Sequence, residues 1–133
     1  MSRARWVFAM VAALSIGAAC SSDSTGGAAQ TGTLALYLAT PQADDGAMTF
    51  EVSGPPIDSV SVANASLRLF TRREDGSTVS GAVVGALKEG AVVTLHVPDL
   101  GAASGYTARI LEVADRHNVL RISLAGYALT VTH

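Results

Sequence analysis

From Thr33 to Thr132 the chain repeats one pattern: apolar and small or polar residues alternate with period two, over and over, between turn signals. Leu34, Leu36 and Leu38 alternate with Ala35, Tyr37 and Ala39, and Pro41 ends the run. Met48, Phe50 and Val52 alternate with Thr49, Glu51 and Ser53 before G-P-P. Val60 and Val62 alternate with Ser59 and Ser61, and Leu67 and Leu69 with Ser66, Arg68 and Phe70. Val93, Leu95 and Val97 alternate with Val92, Thr94 and His96, and Tyr127, Leu129 and Val131 with Ala128, Thr130 and Thr132. Successive side chains of a strand point to opposite faces, so this alternation describes strands with one buried side. Asp45-Gly46, Asp75-Gly76, Glu89-Gly90 and P-D-L-G-A-A-S-G at 98–105 supply the expected reversals, with E-D-G suggesting a hairpin. The pattern predicts an all-β fold, an antiparallel β-sandwich of about seven to nine short strands. Two stretches stay open: Ser77 to Leu87 reads as one bulged strand or two short ones. In Tyr106 to Arg116 both faces mix, and A-D-R-H-N reads as a helical turn or a loop.

The alternation leaves out the first 32 residues. Arg3 and Arg5 precede W-V-F-A-M-V-A-A-L-S-I-G-A-A, an uncharged run from Trp6 to Ala19, and then comes Cys20, the single cysteine. Fourteen residues suit the apolar region of a secretory signal and are too short for a helix across the ~30 Å bilayer core. Residues 21–32 read S-S-D-S-T-G-G-A-A-Q-T-G, a composition that gives a flexible coil with a root-mean-square reach of about 20 Å. The expected organisation is a signal peptide over 1–19, Cys20 and a Ser/Gly-rich linker over 20–32, and one β-sandwich domain over 33–133. Cleaving the leader leaves seven Lys/Arg against eleven Asp/Glu, a mildly acidic domain without the clustered cations that phosphate binding needs. Nucleic acid is therefore not an expected partner.

Small residues Gly17, Ala18 and Ala19 directly before Cys20 resemble the lipobox of bacterial lipoproteins. The resemblance implies cleavage between Ala19 and Cys20, diacylglycerol on the Cys20 sulfur and attachment to the cell envelope through a lipid anchor. Ser21 then implies sorting to the outer membrane of a two-membrane bacterium. Gly17 stands where that pattern usually carries Leu, and Gly17 with Ala19 also satisfies a small-x-small cleavage rule, so plain secretion is the alternative. Further on, D-D-G-A-M-T-F-E-V-S-G-P, V-V-G-A-L-K-E-G-A-V-V-T-L-H-V-P-D and S-L-A-G-Y-A-L-T-V resemble the small β-sandwich domains of uncharacterised bacterial lipoproteins. More distantly they are similar to cohesin-like, immunoglobulin-like modules. Such modules bind proteins or carbohydrate, and no individual binding residue carries over.

Chemistry-bearing residues are sparse. His96, His117 and His133 lack metal-ligand spacing, and no second thiol joins them. Asp44-Asp45-Gly46 lacks the D-x-D-x-D-G spacing of a calcium loop and suits a turn. No G-x-S-x-G elbow occurs, and Glu51 and Glu112 lie on strand segments whose mutual placement the sequence leaves open. No catalytic residue, metal or cofactor is expected. The one non-core cluster is L-R-L-F-T-R-R, which puts Arg68, Phe70 and Arg72 on one phase of a strand. An aromatic ring between two guanidinium groups suits an envelope protein or a polysaccharide; as plain structure, Phe70 caps the sandwich edge and the arginines solvate it. The expected function is that of a non-catalytic binding or structural module, with a small envelope enzyme accessory as the alternative.

Overall fold

A computed structural model describes residues 28–133. Eight strands follow one another: β1 Gly32–Ala39, β2 Asp45–Ser53, β3 Ser59–Val62, β4 Arg68–Arg73, β5 Thr78–Val84, β6 Gly90–Val97, β7 Thr107–Asp115 and β8 Ala128–Thr132. They form two four-stranded antiparallel sheets, β3-β6-β1-β8 and β4-β5-β2-β7. The fold is the all-β sandwich that the alternation predicts. Among the described residues only β4 and β5 are joined as a hairpin; every other connection passes from one sheet to the other.

The core lies between the sheets and is built from the predicted apolar phases. Leu34, Leu36 and Leu38 of β1, Met48, Phe50 and Val52 of β2, and Val93, Leu95 and Val97 of β6 are all buried. β1 and β2 run through the interior of their sheets, which is why their alternation is the cleanest. The short edge strand β3 buries less, leaving Val60 and Val62 half-exposed. Ser77 to Leu87 resolves as a single strand, β5, with Val79 and Val83 inward and Gly81 between them. A Cβ at Gly81 would lie 2.6 Å from Phe50 Cζ, so the benzyl group occupies the space that a side chain there would need.

Four expectations change. Val92 belongs to the outward phase of β6 by strict alternation, yet it is buried beside Val93. The register steps from Leu36↔Val93 to Tyr37↔Ala91, leaving Val92 as the extra residue of a β-bulge that turns it inward. Asp45-Gly46 is not a reversal: Asp45 opens β2 with its side chain fully buried, and Gly46 continues the strand. A Cβ on Gly46 would come within 2.9 Å of Arg116 Cα and Asp115 O, so this glycine admits the backbone after β7 at an irregular step in the β2–β7 ladder. Tyr127 precedes β8 and sends its hydroxyl to Asp45, 2.8 Å away, where the alternation would place it as an ordinary core-phase residue. Leu69 is half-buried on β4, since an edge strand is covered on one side only.

Of the two readings for A-D-R-H-N, the loop is the one found. The Asp115 carboxylate accepts the backbone N–H of His117 at 2.8 Å and of Val119 at 3.0 Å, and Asn118 takes a φ of 64° to close the turn. The Val119 and His117 amides hold the Asp115 carboxyl below its ordinary value of 3.8. A depressed folded-state pKa stabilises the turn above the ordinary value, and that support is lost as pH falls through the folded value. Amide exchange at His117 and Val119 is therefore expected to accelerate, relative to core amides, only once the pH drops below 3.8; acceleration already near neutrality would contradict this assignment. Asp75 plays a similar part in the β4–β5 hairpin, its carboxylate accepting the Ser77 N–H at 2.7 Å.

Candidate functional site: the outer face of the β4-β5-β2-β7 sheet

Arg68, Phe70 and Arg72 share the outward phase of β4, at the edge of its sheet. Cross-strand register sets their neighbours. One row runs Arg68, Val84, Ala47, Ala114; the next runs Phe70, Ala82, Thr49, Glu112; the third runs Arg72, Ser80, Glu51, Arg109. The β2–β7 ladder steps from Thr49↔Glu112 to Phe50↔Ile110, so Leu111 is an extra residue turned outward, 41% exposed. A shallow groove of about 440 Å³ crosses this face, with Phe70 and Arg72 on one wall and Leu111 on the other. Phe70 is 59% exposed. The sequence phase thus brings the three predicted residues together, and the bulge adds Leu111, which the alternation gave no means to place.

The charges on this face divide into paired and unpaired. Arg72 grips Glu74 with both prongs, Nε donating to Oε1 at 2.9 Å and Nη2 to Oε2 at 3.0 Å. Glu74 raises the Arg72 pKa, and Arg72 lowers that of Glu74. Arg109 Nη2 donates to Glu51 Oε1 at 3.0 Å, across the β2–β7 ladder. Glu51 therefore stands opposite Arg109, and Glu112 opposite Thr49 in the neighbouring row of the same face. The ion pairs of the described residues join Arg72 to Glu74, Arg109 to Glu51, and Arg121 to Asp44 and Asp45; Arg68 and Glu112 take part in none of them.

The opposite outer face, on β3-β6-β1-β8, differs in kind. Its rows carry Thr33, Ala35, Tyr37, Ser59, Ser61, Thr94, His96 and Thr130, with Tyr37 its one large exposed hydrophobic. His96 Nε2 lies 3.2 Å from Ser61 Oγ. His117 is in the loop after β7 and His133 ends the chain, so the three histidines are dispersed.

A buried polar cluster, which the alternation did not reveal, pins the loop between β7 and β8. Asp45 Oδ1 accepts Arg121 Nε at 3.2 Å, Arg121 Nη2 at 3.0 Å and the Tyr127 hydroxyl at 2.8 Å, while Oδ2 accepts the Thr40 hydroxyl. Arg121 Nη2 also donates to Asp44. Asp44 first and Asp45 second push the Arg121 pKa further up, and burial raises that of Tyr127. Both acidic groups of the D-D-G motif are thus engaged by a guanidinium, an arrangement that leaves them unsuited to calcium. Their partner lies 77 and 76 residues away, beyond the reach of any local motif.

Comparison with protein families, with curated proteins and with solved structures finds no match to this chain. Cys20, together with residues 1–19 and the first part of the linker, lies outside the described residues.

Proposed function

We propose that the chain is a lipid-anchored envelope protein whose β-sandwich acts without catalysis, as a binding or structural module. The observation that carries this reading is the placement of the single cysteine: two arginines, an uncharged 14-residue run and three small residues precede Cys20, and a Ser/Gly-rich stretch separates it from β1. Two or three acyl chains at that point hold a protein essentially permanently, whereas one holds it marginally. The module reading draws on the outer face of β4-β5-β2-β7, where a 59%-exposed phenylalanine between two arginines borders an open groove. Exposed large hydrophobics gathered on one sheet face mark an interaction surface more often than a solvated one.

The test of the anchor is a Cys20→Ala variant expressed in a two-membrane bacterium. Wild type is expected in the membrane fraction carrying labelled fatty acid, and the variant in the soluble fraction without label. Wild type that takes up no label, paired with a variant that fractionates like it, would leave plain secretion through the Gly17-x-Ala19 site as the correct account.

A further inference from the structure

We propose that the outer face of β4-β5-β2-β7 pairs with the same face of a second copy of this chain. Three of the seven large hydrophobics exposed in the described residues, Phe70, Val84 and Leu111, lie on this one face. Between them the floor is flat and small, made by Ala47, Thr49 and Ala82. A flat apolar face of strands packs well against another at about 10 Å, as the two sheets inside a sandwich do.

Charge selects the partner. Within the face Arg72 and Arg109 already have carboxylates, which leaves Arg68 at the β4 edge and Glu112 at the β7 edge, on opposite sides of the apolar floor. A face with one unpaired cation on one margin and one unpaired anion on the other is complementary to itself. In a two-fold pair, what residue i does to j, residue j does to i. A symmetry axis lying in the interface and parallel to the strands lays β4 of one copy over β7 of the other. Arg68 then falls one pair-step, about 7 Å along the strand, from Glu112 of the second copy, within the span of an extended arginine side chain. The other in-plane axis, perpendicular to the strands, lays β4 over β4 and brings Arg68 towards Arg72 of the second copy. The strand-parallel axis sets Arg72 over Arg109 of the second copy, but each of these is already held by its own carboxylate. The perpendicular axis instead drives the unpaired Arg68 against a cation, which disfavours it.

The footprint is modest. Four strands about 4.8 Å apart, each contributing six or seven residues, cover roughly 400–450 Å² per copy, or about 900 Å² in all. That falls below the roughly 1,200 Å² at which standard specific interfaces begin, so the pair is expected to be weak and reversible. The strand-parallel axis has a second consequence, which rests on the anchor reading: it leaves the Gly32 ends of both copies pointing the same way, so both linkers can enter one membrane. Confinement to one surface would raise the local concentration and favour the pair. The face pairing itself does not depend on lipidation.

The experiment is density-matched sedimentation of the full chain in detergent, with a reductant present so that no Cys20 disulfide contributes. Wild type, Arg68→Glu, Glu112→Arg, the double reversal and Phe70→Ser are compared, each checked by circular dichroism for retained strand content. Wild type is expected to dimerise in the micromolar range. Each single reversal should weaken the dimer by about ten-fold or more, the double reversal should restore it, and Phe70→Ser should weaken it without restoring partner. A wild-type chain that stays monomeric up to about 100 µM overturns the proposal, as does a dimer indifferent to all of the substitutions. Single reversals that weaken a dimer which the double reversal fails to restore overturn the charge pairing. None of these outcomes bears on fatty-acid labelling of Cys20, so the anchor and the dimer stand or fall separately.

Discussion

Replacing Asp45 with alanine is expected to lower the unfolding free energy by about 3–5 kcal/mol, the range for removing one partner of a buried ion pair. The side chain of Asp45 is wholly inaccessible to water, and that of Arg121 is only 19% exposed. Truncation would leave the guanidinium with Asp44 alone and strand the Thr40 and Tyr127 hydroxyls. With a slope of about 1–3 kcal/mol per molar urea, the midpoint should fall by roughly 2 M. Tyr127→Phe is the informative companion. It removes one hydrogen bond to a charged acceptor and leaves Arg121 in place, so its cost should be smaller, about 1.5–3 kcal/mol. An Asp45→Ala midpoint within about 0.3 M of wild type would mean that the cluster contributes nothing net to stability. Given a typical total of about 5–15 kcal/mol, the expected loss is a large share of what holds the domain folded.

Phe50→Ala is expected to cost about 3–5 kcal/mol, through lost burial and the cavity left behind. Phe50 has no solvent exposure and sits on β2, which has strands on both sides within its sheet. The same ring explains Gly81. Gly81→Ala alone should cost about 1–3 kcal/mol, because its Cβ would meet Phe50 Cζ at 2.6 Å and Cε1 at 2.7 Å. Once the ring is gone, the nearest remaining neighbour is the Phe70 carbonyl oxygen at 3.2 Å. The two substitutions should therefore be non-additive, with the Gly81→Ala penalty in the Phe50→Ala background falling below about 1 kcal/mol. Additive costs in urea unfolding of the four variants would show that Gly81 is constrained by the backbone of β4 and not by the ring.

These two positions differ in how visible they are in the sequence. Phe50 stands in the unbroken alternation Met48, Phe50, Val52, and β2 keeps that period on its buried side through Val52. Arg68, Phe70 and Arg72 were readable because period two alone puts alternate residues of β4 on one face, even at a sheet edge, and the E-D-G hairpin because Asp75 acts on an amide two residues away. Asp45 was not readable. The turn preference of Asp-Gly is a local property, while its partners Arg121 and Tyr127 arrive 76 and 82 residues later. Val92 and Leu111 were hidden for a different reason. Each is the extra residue of a β-bulge, and one inserted residue moves a side chain to the opposite face from the one its phase predicts. Glu112 lies next to such a bulge, so its place at the far end of the Phe70 row, one row from Arg68, emerged only from the register.

The order in which the strands alternate between sheets also sets how the chain finds its fold. Six of its seven strand-to-strand connections change sheet, so among the described strands only β4 and β5 can pair before distant parts of the chain meet. The cluster that closes the β7–β8 loop needs Thr40, Asp45, Arg121 and Tyr127 together, and it can assemble only after synthesis has passed Tyr127. Folds dominated by such non-local pairings cross their barrier in milliseconds to seconds, not microseconds. Ala128–Thr132 is also the edge strand beside β1, so the last of these stretches to be synthesised supplies both the final strand of one sheet and the tyrosine that closes the Asp45 cluster.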